Sequence, residues 1–210
     1  MKTTIVKIST LALLCTACSV QQPTLDARKD ICLLFEEKPS WYKDLRRSEI
    51  KHHVPLALAA AIVQQESSFK HAAKPPYTTY FLGLIPWSRA SSAEGYAQVI
   101  DATWQRYLES NNRYSWWASR RSFSDSVDFI GWYINEIMDR TKLTVHQPKD
   151  IYLAYHEGPG GYLKQSYQNK PVLLRASKQV EERAYRYQRQ WDQCQQKVKS
   201  KFPFFTFFNG

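Results

Sequence analysis

The stretch from Leu56 to Phe69 constrains this chain most: an apolar, helix-forming run, Leu-Ala-Leu-Ala-Ala-Ala-Ile-Val, ends in Gln64-Gln65-Glu66-Ser67-Ser68-Phe69. Pro55 suits the first turn of a helix, and Ala and Leu are strong helix formers. A helix apolar all round belongs in an interior, so other elements must wrap it. Glu66 then stands where a core helix meets a cleft. The negative end of the helix dipole and the apolar neighbours both favour the protonated carboxyl, the form a general acid needs near neutral pH. A solvated glutamate closing a buried helix is the plainer alternative.

Helical signals fill the rest of the chain. Asp26 to Phe35 predicts a short helix, and Ser40 a cap for a second that runs through Trp41, Leu45 and Ile50 toward His53. After an irregular stretch from His71 to Ser92, helices are expected from Asp101 to Glu109, from Ser124 through Met138, and from Pro148 to Gly158. The last runs from Ser177 to about Ser200, where Val180, Ala184, Tyr187, Trp191, Cys194 and Val198 form an apolar seam. No alternating strand pattern interrupts them, so the fold class is all-α. One domain over residues 26–200 suffices to bury a core.

Lys2 and Lys7, a short apolar run from Ile8 to Leu14, and the small residues before Cys18 make residues 1–17 an export signal, too short to span a bilayer permanently. Residues 18–25 read as a tether and 201–210 as an aromatic tail. Without the signal, 27 basic residues face 19 acidic ones, a charge of +8. An exported basic chain is no nucleic-acid binder; anionic wall polymers and lipid phosphates are the available partners. Cys32 and Cys194, left over in an oxidising compartment, suggest a disulfide tying the first helix to the last, with two buried thiols as the alternative. The five histidines show no ligand spacing, so no metal or cofactor is implied.

Three motifs follow in order: Glu66-Ser67; Gly95-Tyr96-Ala97-Gln98 with Asp101 and Thr103-Trp104; and Ala154-Tyr155-His156-Glu157-Gly158. Together, over about residues 50–165, they resemble the family 1 lytic transglycosylases, lysozyme-like enzymes that cleave peptidoglycan and whose signatures are Glu-Ser, Gly-Leu-Met-Gln and Ala-Tyr-Asn. The segment before Cys18 resembles a lipoprotein lipobox, with Cys15 where an aliphatic residue is usual. That implies lipidation at Cys18 and, with Ser19 rather than Asp following it, an outer-membrane address in the periplasm; cleavage after Ala17 without lipid, or an uncleaved anchor, are the alternatives.

The resemblance makes Glu66 general acid and then general base. The muramoyl C6 hydroxyl would attack C1, giving a 1,6-anhydro end without water. It also assigns Ser67, Tyr96, Gln98, Tyr155 and His156 to the substrate site, with Ser67 orienting the carboxyl or the sugar and Tyr155 near both. His156 replaces the family's Asn. Inverting hydrolysis would need a second carboxylate, for which Glu94 and Asp101 are the candidates, as goose-type lysozymes of the same fold carry acids in this segment. A third reading is a silent peptidoglycan-binding lipoprotein within an envelope or secretion assembly.

Overall fold

The computed structural model describes residues 21–81 and 85–202. The signal segment, Cys18 and the tail beyond Phe202 lie outside the described residues. Among the described residues, seven helices and one antiparallel strand pair follow in order: α1 (Ile31–Glu37), α2 (Pro39–His52), α3 (Leu56–Ser67), β1 (Tyr77–Phe81), β2 (Ile85–Arg89), α4 (Asp101–Ser110), α5 (Phe123–Thr141), α6 (Pro148–Leu163) and α7 (Pro171–Lys201).

α3 is the axis of the molecule. Every residue from Leu56 to Val63 is buried, and α2, α5 and α7 pack around it. A larger share of its residues is buried than in any other described helix. α2 is amphipathic and lies on α5, where Ser48 donates to the Val127 carbonyl at 2.8 Å. The buried His52 ring meets Asp128 at 2.8 Å, and Tyr107 donates to the same carboxylate at 2.6 Å. α7 buries Val180, Ala184, Tyr187, Trp191 and Val198. The structure joins part-buried Cys194 on that seam to Cys32 by a disulfide, with Cα atoms 6.1 Å apart.

Local chemistry moves several helix starts from where the sequence suggests them. Asp30 rather than Asp26 opens α1, accepting from the backbone N–H of Cys32 at 2.8 Å and of Leu33 at 3.2 Å. Ser40 caps nothing, because Pro39 already occupies the first turn of α2. Ser122 caps α5, which begins at Phe123 rather than Ser124, and Pro171 starts α7 six residues before Ser177. The packed chain also begins before Asp26: Pro23 is buried, and Thr24 Oγ1 donates to Glu37 at 2.6 Å.

The all-α class holds with one addition inside the stretch expected to be irregular. β1 and β2 pair antiparallel in the register Tyr77 with Arg89 and Phe81 with Ile85. Tyr-Thr-Thr-Tyr-Phe is rich in strand formers. Pro86 is tolerated because both strands of a two-stranded ribbon are edges. No helix among the described residues is long and apolar enough to cross a membrane.

Candidate active site

α3 ends at a left-handed Ser68 (φ 51°), followed by a left-handed Phe69 (φ 61°) buried against Trp41, 5.4 Å between ring centroids. This turn stops the helix one residue after Glu66-Ser67 and leaves Glu66 on the wall of a cleft of about 490 Å³. The same cleft is lined by Gln98 and Thr103 from the segment around the start of α4, by Tyr133 of α5, and by Tyr155, His156 and Glu157 of α6.

Burial pushes the Glu66 carboxyl up to about 7, against the opposing effect of the Tyr152 hydroxyl, which donates toward it and favours the anion. Its Oε1 is shielded from solvent and makes no hydrogen bond among the described residues. A carboxyl with a free oxygen, poised between its two protonation states at neutral pH, can both give and take a proton. Burial and the neighbouring Glu66 charge hold the phenols of Tyr152 and Tyr155 well above their ordinary range, so both act as neutral donors.

Gln98 sits at a left-handed φ of 47°, and its side-chain amide donates to the carbonyls of Ala73 at 2.8 Å and Gly95 at 2.9 Å. Both N–H groups are thereby spent on holding the loop, while Oε1 remains available to a ligand donor. Tyr155 donates to the Ala97 carbonyl at 2.8 Å, pinning α6 to that loop across the cleft. Exposed His156 places Nδ1 3.1 Å from Glu157 Oε1. Gly158 breaks α6 at φ 75°, ψ 156°, backbone that essentially only glycine adopts. The first part of α6 thus ends at the cleft rim.

Two residues expected in the substrate site are elsewhere. Ser67 is buried and donates to the Val63 carbonyl one turn back, at 3.0 Å, so it neither orients Glu66 nor faces the cleft. Tyr96 is core: its ring meets Trp41 and Phe123 edge-on at 5.6 and 5.2 Å, and burial pushes its phenol up to about 12.

Neither candidate for a second carboxylate lines the cleft. Burial would raise Glu94, but Arg121 at 2.7 Å and Lys74 at 3.2 Å hold it below the usual range, with Arg120 at 3.4 Å. Asp101 is exposed beside Arg120 at 2.7 Å. The carboxylate that does reach the cleft is Glu157. Burial would raise it as well, but Lys170, Ser166 and His156 hold it at about 2, so it is a locked anion and a weak base.

The sequence motifs include Thr103 and Glu157 without giving either a role in the site, and they leave out Tyr152 and Tyr133. Tyr152 carried a legible signal, since it stands three residues before Tyr155 and shares its helix face; the two rings are nearly parallel, 6.4 Å apart. No cluster of His, Cys, Asp and Glu suited to a metal exists among the described residues.

An all-α domain that ends its most buried helix on one proton-exchanging carboxyl, set in an open groove, has the construction of the lysozyme-like glycan-cleaving enzymes. The sequence matches the transglycosylase SLT domain over residues 6–194, and the chain belongs to that family: it is a lytic transglycosylase acting on peptidoglycan. No curated protein matches it.

Proposed function

We propose that this enzyme cleaves the β-1,4 bond between N-acetylmuramic acid and N-acetylglucosamine without consuming water, with Glu66 as the single acid–base group. The observation that carries this reading is the Glu66 carboxyl itself, raised to about 7 with Oε1 unpaired on the cleft wall. Protonated, it delivers its proton to the glycosidic oxygen as the C1–O bond breaks. As an anion it then takes the proton of the muramoyl C6 hydroxyl while that oxygen bonds to C1, and the carboxyl returns to its starting state. Atoms balance with no co-reactant, and the product end is a 1,6-anhydro sugar. Hydrolysis with inversion would call for a basic carboxylate across the cleft; Glu94 and Asp101 lie outside its lining, and Glu157 is ion-paired. Gln98 Oε1 and His156 offer polar contacts to the sugar. An export signal over residues 1–17 and a lipid on Cys18 would put the domain in the periplasm at the outer membrane.

Two measurements test the chemistry. Glu66→Gln keeps the shape but has no proton to give, so turnover of purified sacculi should fall more than about 100-fold while sacculus binding persists. Retention of about a tenth of the activity would remove Glu66 from the mechanism. Mass spectrometry of the released muropeptides should show anhydro ends, one water lighter than reducing ends; reducing ends alone would establish a hydrolase. Incorporation of labelled fatty acid, lost in Cys18→Ala, tests the anchor.

A further inference from the structure

One end of the molecule gathers features the cleft does not use. Thr24, near the start of the described chain, donates through its backbone N–H and Oγ1 to Glu37 at the end of α1, at 3.0 and 2.6 Å. Phe202, the last described residue, packs on Tyr42 in the first turn of α2 at 5.8 Å, with Lys43 Nζ 5.9 Å from the ring centre. Lys38 alone separates α1 from α2, so the chain enters and leaves side by side. Lysines 38, 43, 197, 199 and 201 stand there against Glu36 and Glu37, and Lys197 and Lys201 share the one carboxylate of Glu36.

A third feature joins them. Asp125, in the first turn of α5, holds both flanks of a tight loop, Arg113 Nη2 at 2.6 Å and the Ser119 N–H at 3.0 Å. That turn of α5 stands beside the first turn of α2, since Phe123 stacks on Trp41 with centroids 4.1 Å apart. The clamped loop holds Tyr114, Trp116 and Trp117 in water at 66, 77 and 67% exposure, their rings gathered into one patch. Exposed apolar clusters of this kind mark interaction sites, and here the clamp prevents the rings from folding back.

We propose that this end is a docking face for an anionic phospholipid surface. Indoles and phenols prefer the boundary between headgroups and acyl chains, and lysines at the α1–α7 end, which outnumber the carboxylates they meet, attract lipid phosphates. Phe202 lies at this end, and the sequence continues Pro-Phe-Phe-Thr-Phe-Phe-Asn-Gly, an apolar composition. A glycan platform would present one open ring face, whereas Trp116 and Trp117 meet at 76°. The inference stands independently of the catalytic reading.

The test uses the full chain on vesicles of phosphatidylethanolamine and phosphatidylglycerol with brominated acyl chains, which quench indoles seated in the interface. The measurements are made in a Trp87→Phe/Trp132→Phe background, where the other tryptophans, Trp41, Trp104 and Trp191, are buried, so Trp116 and Trp117 should supply the quenched emission. Trp116→Phe/Trp117→Phe keeps the apolar contact but removes the reporters, and more than about half of the quenchable emission should disappear. Lys197→Glu/Lys201→Glu, or about 0.5 M salt, should lower quenching in the wild-type chain. Quenching unchanged in the tryptophan variant, or equal on neutral phosphatidylcholine, overturns the proposal. Loss of sacculus binding in that variant with quenching intact would make the patch a glycan surface instead and equally overturn it.

Discussion

Glu66 sets an exchange between stability and chemistry within one residue. Its carboxyl is raised from 4.5 to about 7 by burial, so the folded state is penalised for ionising it. The penalty is absent below about pH 4.5, grows across the window and is complete above about pH 7, where it reaches on the order of 3 kcal/mol at 1.36 kcal/mol per unit. Glu66→Gln should therefore match the wild type in urea unfolding at pH 4 and exceed it by up to about 3 kcal/mol at pH 8. Equal stability at both pH values would mean that the carboxyl is not desolvated. Tyr152 opposes that burial, so Tyr152→Phe should raise the Glu66 pKa further and move the alkaline limb of the activity profile to higher pH; a limb that stays in place would detach Tyr152 from the acid. The place of Glu66 on the cleft wall was legible because an apolar helix that ends in a carboxylate has to end at an edge of the core. Ser67 and Tyr96 were misplaced because a motif fixes residue order, while the side-chain direction within it depends on which helix face meets the core.

At the scale of elements, helix identity followed from apolar spacing, and the starts followed from capping competition that spacing does not encode. Proline in a first turn displaced the serine cap expected at α2 and starts α7 ahead of Ser177, and the hairpin escaped notice because its alternation is broken by Pro86 and register shifts. The loop after the hairpin positions Gln98 through tight backbone contacts. Gly95, at φ 79°, donates to the Ala73 carbonyl at 2.9 Å, and a Cβ there would fall 1.8 Å from the Arg120 carbonyl oxygen. That oxygen accepts from the Tyr96 N–H at 3.2 Å, so it has no freedom to retreat. Gly95→Ala combines a left-handed backbone penalty with a backbone clash, a cost of about 3 kcal/mol and roughly 10 °C in melting temperature. Residual folded protein at low temperature should still turn over sacculi poorly, since Gln98 and the Ala97 carbonyl that receives Tyr155 move with this loop. Normal melting in a Gly95→Ala chain would show that the loop is not packed as described.

For the molecule as a whole, the closure of α1 onto α7 is what holds the two ends of the chain on one core. α7 covers one side of α3, α1 packs beneath its C-terminal half, and Gln190 Oε1 accepts from the Ile31 N–H at 3.1 Å next to the disulfide. A bond spanning 162 residues removes much of the unfolded chain's freedom, about 5 kcal/mol in the loop-entropy account. Reduction should therefore lower the melting temperature by roughly 10–20 °C, and because α7 also carries Arg183 against Gln65, one residue before Glu66, heat should release the cleft wall together with α7. Non-reducing peptide mapping of protein made in an oxidising compartment should recover residues 32 and 194 in one linked fragment. Two freely alkylated thiols in active protein, with melting unchanged by reductant, would mean that packing alone closes the domain.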